Sequence, residues 1–227
     1  MMPFAAHMSA LNLVLQAPDV EAPAPRIAIG DSTRLSPGDS LAPIQQVLPR
    51  SRIQRNLDDF QTGSAAPRRR VHAGRVGFGR SGGRAPLKLD FVDCVMMNPP
   101  FTRFQRLANF YEGYSGEVAT SFSEYHEYIN GRMPYCNYFL FLADRFLEHG
   151  RAPPGSPIIG AVLPATVLRG DSSEGVRRFL SERYSILYVI RRRRAANFSE
   201  DTQFTEILLV LGERRADPGP PSFVIID

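Results

Sequence analysis

An α/β fold, one sheet with helices on both faces, is predicted by three features of the 227-residue chain. First, "IIGAVLP", "SILYVI" and "EILLVL" are continuous apolar runs of strand length, the pattern of strands covered on both sides. Second, two amphipathic helical stretches, 135–150 and 170–184, lie between such runs. Third, strand and helix alternate along the chain, as a largely parallel sheet requires. With 43% hydrophobic residues, the chain can bury a core as one domain.

In order along the chain, "PFAAHMSALNLVLQAP" places Phe4, Met8, Leu11 and Leu15 at helical spacing until Pro18 stops the pattern. "PRIAIGDS" then reads as a short strand through Ile27 and Ile29 that ends in the turn Gly30, Asp31, Ser32. From about 50 to 90 the periodicity fades into an Arg-, Gly- and Pro-rich tract, expected to be a flexible insertion. Gly77, Gly79 and Gly82 match the spacing of a dinucleotide-binding turn, but no apolar strand precedes them and Pro86 blocks a following helix. The match is read as accidental.

Regular structure returns with "FVDCVMM", expected to be a strand covered on both faces. The polar, aromatic-rich passage to Pro134 is expected to be loop with short helices. "YCNYFLFLADRFLEHG" aligns Phe139, Leu142, Ala143, Phe146 and Leu147 in one stripe, with Gly150 placed to end the helix in the left-handed conformation. After the strand "IIGAVLP", Asp171 stands three residues before Glu174 like a capping box, and Val176, Phe179, Leu180 and Tyr184 share one side. "SILYVI" and "FTEILLVLGE" are two further strands joined by "RRRRAANFSEDTQ", and "PSFVIID" adds an edge strand.

Composition bounds the function. No stretch approaches the roughly 18 apolar residues of a membrane helix, and the N-terminus lacks a secretory signal, so the cytoplasm is the expected compartment. Cys94 and Cys136 have no metal-ligand spacing and read as buried thiols; no metal site is expected. The net charge is +4, and Lys88 is the only lysine, so the cationic side chains are almost all arginine. Arginine suits phosphate. A genome-wide replacement of Lys by Arg explains the same bias, and composition permits a nucleic-acid partner without requiring one.

In an open α/β sheet, ligands gather outside the carboxyl ends of the parallel strands. One such end reads Asn98-Pro99-Pro100-Phe101. The side-chain oxygen of Asn98 and the main-chain carbonyl of Pro99 are two acceptors held close by rigid residues. They can grip both hydrogens of an exocyclic amine, which withdraws the nitrogen lone pair from conjugation and aims it outward at an electrophile. Phe101 would stack on the base carrying that amine. A proline-terminated strand whose asparagine caps a turn is the competing reading of the tetrapeptide.

"DCVMMNPPFTR" resembles the catalytic motif of S-adenosylmethionine-dependent amino-methyltransferases, and the surrounding chain resembles the adenine-specific DNA methyltransferases of the N6-DNA-methylase group. The likeness runs through most of the chain: "MPFAAHMSALNL" resembles the helix after that family's second motif, "GAVLPATVLRG" the strand and turn after the central helix, and "NFSEDTQFTEILLVL" the closing hairpin. It implies a Rossmann-like methyltransferase sheet and transfer of a methyl group from S-adenosylmethionine to the N6 amine of adenine in DNA, as in restriction-modification. It implies catalytic roles for Asn98, Pro99, Pro100 and Phe101, contact of Asp31 with the donor's adenine, and packing of Phe198 on an extruded base. Rotating a base out of the duplex costs roughly a few kcal/mol, which stacking of about 1–3 kcal/mol per base offsets. Arg191, Arg192, Arg193 and Arg194 follow "SILYVI" onto the same rim; they would hold phosphates, or they are a solvated charge run.

The chain departs from the family in one respect. The glycine-containing first motif and the acidic residue for the donor's ribose have no counterpart before Met1. The family's first strand lies beside the Asn-Pro-Pro-Phe strand, so residues 1–227 are expected to be the carboxyl part of a catalytic domain, lacking its first two strands. A bare apolar strand edge then invites pairing with a second chain. Methylation of RNA or of a protein glutamine, and a non-catalytic nucleic-acid-binding remnant, are the rival readings.

Overall fold

The computed structural model describes residues 27–41, 73–76, 86–101, 114–193, 205–216 and 219–226. It divides at Asp90 into two compact units, where composition predicts one domain. The first holds two small antiparallel pairs: β1 (Ile27–Gly30) with β3 (Ala73–Val76), and β2 (Ser40–Leu41) with β4 (Leu87–Lys88). Two of these strands fall inside the span 50–90 read as an insertion. The expected N-terminal helix and the glycine triplet 77, 79 and 82 lie outside the described residues.

The second unit is built on a five-stranded mixed sheet, of the expected α/β class but with one antiparallel strand inside it. Its strands are β5 (Val95–Met97), β6 (Pro157–Pro164), β7 (Tyr184–Arg192), β8 (Glu206–Glu213) and β9 (Ser222–Ile226), arranged 5-6-8-7-9. β6 is parallel to β5 and β9 is parallel to β7, while β8 runs antiparallel between β6 and β7. Four strands therefore deliver their carboxyl ends to one rim. The expected closing hairpin is present as β7 and β8.

Helices α1 (Tyr114–Ser121), α2 (Tyr135–Phe146) and α3 (Glu174–Arg183), with the 3₁₀ segment Ser123–Tyr128, join one apolar cluster against the sheet. The row Ala161, Leu209, Val189 lies under this layer and is buried. The neighbouring row points to the opposite face, because successive residues of a strand alternate. There Met96 is 84% exposed and Tyr188 43%, so that face is open along the row Met96, Gly160, Val210, Tyr188. Cover on both faces, expected for "FVDCVMM", is not found: β5 is the sheet's edge strand among the described residues, and Phe91 and Val92 are exposed with Met96. Cys94 is exposed as well, against expectation; Cys136 is buried, which pushes its thiol up to about 12.

Local details explain further departures. α2 stops at Phe146, because Leu147 leaves the helix in extended conformation to bridge Val92; Gly150 adopts φ 78° only in the turn beyond. The capping box does not form. Asp171–Ser173 is instead a separate 3₁₀ turn, and α3 starts from Ser173 without a side-chain cap. α3 packs tightly at Gly175, where an added Cβ would fall 1.9 Å from the carbonyl oxygen of Tyr128. Gly175→Ala is expected to cost about 1–3 kcal/mol through overpacking, read as a lower urea midpoint. Gly116→Ala, at an open position of α1, serves as control and should be neutral or stabilising.

Candidate functional site

β5 is short because Pro99 and Pro100 bring no N–H to the ladder. Its three residues pair with Ile159, Gly160 and Ala161 of β6, which sets Asn98 immediately past the last paired row, at the carboxyl rim. Asn98 is exposed, Pro99 is buried, and Pro100 is exposed again. The buried ring fixes the bend, and the residues on either side of it stand exposed. Phe101 is half-buried and packs against the core cluster, so only its remaining surface can meet a ligand.

The foot of the strand is tied down separately. The Val92 N–H donates to the carbonyl of Phe146 at 2.8 Å, and the Glu148 N–H donates to the carbonyl of Val92 at 3.0 Å. Arg151 adds an ion pair with Asp93 at 3.1 Å. With only three paired residues in the sheet, β5 relies on this anchorage beneath it.

Arg191 and Arg192 end β7 on the same rim, and the Arg193 N–H donates to the carbonyl of Ile226 at 2.7 Å. Arg191 and Arg193 are exposed, and Arg192 is half-buried. β7 lies three strand positions from β5, so these arginines start about 14 Å from Asn98. Arg194 and Phe198 lie outside the described residues.

Asp31 belongs to the first unit. Its carboxylate starts the turn Ser32–Arg34, accepting the Thr33 N–H at 3.2 Å and the Thr33 hydroxyl at 2.5 Å, with Arg34 at 3.5 Å. The structure thus brings Asn98–Phe101 and Arg191–Arg193 to one edge of one sheet, and it gives Asp31 a capping role in another unit.

Comparison with known proteins adds a fold-level likeness. No family model and no curated protein matches the chain. Among solved structures, it is similar to a modification subunit assigned to a type I restriction enzyme from Vibrio vulnificus YJ016, at 21% identity and TM-score 0.43 over 60% of this chain and 26% of that one. It is also similar to the type IIG restriction endonuclease BpuSI, at 19% identity and TM-score 0.38, over 54% of this chain and 13% of that one. A third structure, assigned to the class I S-adenosylmethionine-dependent methyltransferases of Listeria monocytogenes, aligns at 15% identity and TM-score 0.35 over 59% of this chain and 36% of that one. The chain spans about a quarter of the first of these proteins.

Two features escape a sequence reading. Glu206 begins β8 in register with Pro164 and is only 2% exposed, a carboxylate buried at the same rim. Its signal is a charge heading an otherwise apolar run. Asp144, inside α2, is the second. It accepts hydrogen bonds from Tyr125 at 2.8 Å and Tyr184 at 2.5 Å, and faces His149 at 3.1 Å and Arg183 at 3.9 Å. Burial alone would raise its pKa, yet the bonds from His149, Tyr184 and Tyr125 hold the carboxyl below the usual range. Burial and the same carboxylate push both tyrosines well above theirs.

Proposed function

We propose that this chain carries the amine-gripping half of an S-adenosylmethionine-dependent methyltransferase that acts on the N6 amine of adenine in DNA. The observation that carries the reading is Asn98 standing exposed at the carboxyl end of β5, fixed by buried Pro99 and held parallel to β6. Asn98 Oδ1 and the Pro99 carbonyl would accept the two N–H bonds of the amine. The nitrogen lone pair is then freed from the ring and directed along the rim. Phe101 would press its exposed surface on the base. Arg191, Arg192 and Arg193, with Arg194 beyond them, would hold the strand from which the base is turned out.

The donor, when bound, supplies an electrophilic methyl group on a sulfonium. Asp31 is the described residue proposed to contact it, and its carboxylate is already engaged by Thr33 and Arg34. A single capping carboxylate does not make a donor site. We propose that a second chain completes the site by adding strands beside β5. The position of β5 at the edge of the sheet among the described residues supports this.

Two measurements test the reading. Calorimetric titration of the isolated chain with S-adenosylmethionine is expected to show no saturable binding; micromolar binding would remove the need for a completing chain. With the complete assembly, labelled methyl groups should enter adenine of DNA. Label in RNA or in a protein glutamine, with none in DNA, would transfer the same grip to another substrate.

A further inference from the structure

We propose that Asp144 and His149 form a proton-operated clasp that fastens the foot of β5, and with it the loop bearing Asn98, when the imidazole is charged. The two residues bracket the end of α2, and the chain between them supplies both backbone bonds to Val92, from the Phe146 carbonyl and the Glu148 N–H. Fixing His149 against a residue of the helix therefore fixes the turn on which β5 rests.

The surroundings make the clasp sensitive to charge. Asp144 is 6% exposed, and its partners come from four other elements: Tyr125 from the 3₁₀ segment, Tyr184 from β7, Arg183 from α3 and His149 from the turn. Burial and the Asp144 carboxylate keep the two tyrosines protonated throughout the physiological range, and His149 is the member of the cluster whose charge changes there. Its Nε2 lies 3.1 Å from Asp144 Oδ1, its ring centroid 6.0 Å from that of Tyr184. Glu213 of β8 faces the same turn and accepts the Gly150 N–H at 2.8 Å, adding a second negative charge beside the imidazole. Glu148, Arg151 and Asp93 pair with one another at the surface. The hydrogen bond to Asp144 raises the His149 pKa, partly opposed by burial. The sign follows: the clasp contributes fully below the ordinary imidazole pKa of about 6.5 and fades as pH rises through the raised folded value.

Hydrogen exchange at the Val92, Glu148 and Gly150 amides, corrected for intrinsic rates between about pH 5.5 and 8, tests this without reading methyl transfer. In the unmodified protein, protection at these amides should fall about two- to fivefold with rising pH, while central-sheet amides such as Leu209 hold steady. His149→Gln, neutral at every pH, should flatten the profile at its lower level. His149→Arg, charged at every pH, should keep the protection above the imidazole range. An equal fall in His149→Gln, a flat profile in the unmodified protein, or a fall shared by Leu209 would each overturn the clasp.

Discussion

Asn98→Ala, in the assembly containing this chain, is expected to lower methyl transfer to DNA by about 10²–10³-fold, the scale of losing one pre-organised polar contact in a reacting site. The side chain is exposed, so the substitution leaves no buried cavity and should lower the unfolding free energy by no more than about 1 kcal/mol. DNA affinity should be retained, since the phosphate contacts proposed for the arginines do not involve this side chain. Methylation rate and DNA binding, measured side by side, therefore separate the two roles. Retained methylation would dismiss the amide grip; loss of binding and methylation together would make Asn98 part of a binding surface.

Asp144→Ala should have the largest effect on stability, about 3–5 kcal/mol. The substitution strands two hydroxyls in the core, on Tyr125 and Tyr184, which are 5% and 2% exposed. It also removes the counter-charge of His149. Tyr125→Phe, which deletes one donor and leaves the carboxylate other partners, should cost about 1 kcal/mol. Because the folded carboxyl is held below its ordinary pKa, its contribution is present above about pH 4 and lost as pH falls through the folded value. Urea midpoints across pH should accordingly show a shallower acid decline in Asp144→Ala than in the unmodified protein.

The two substitutions also mark what the sequence reveals. Strands β6 and β8 are legible as unbroken apolar runs, and the place of Asn98 at a strand end is legible because two prolines follow the apolar run. The cover of β5 is not, since a short apolar strand reads alike whether it lies at the centre or the edge of a sheet. Asp144 hides more deeply. α2 buries Leu140, Phe141 and Asp144 on its central face, while Phe139, Leu142 and Phe146 of the expected stripe are only half-buried. A carboxylate on the buried side breaks the apolar pattern, and its partners lie 19 and 40 residues away in sequence. The aromatic passage to Pro134, expected as loop with short helices, holds α1 and the 3₁₀ segment Ser123–Tyr128, and Phe122, Tyr125 and Tyr128, three residues apart, fill the core there.

The central place of β8 has a consequence for how the molecule is made. β6 and β7 are both translated before the strand that joins them, and neither pairs with the other. On the ribosome, they wait with open hydrogen-bonding edges until residue 213 has emerged, so the insertion of β8 joins them in a single late event, before β9 adds at the outer edge of β7. Nascent chains arrested short of that point should be captured by holdase chaperones, and those arrested beyond it released.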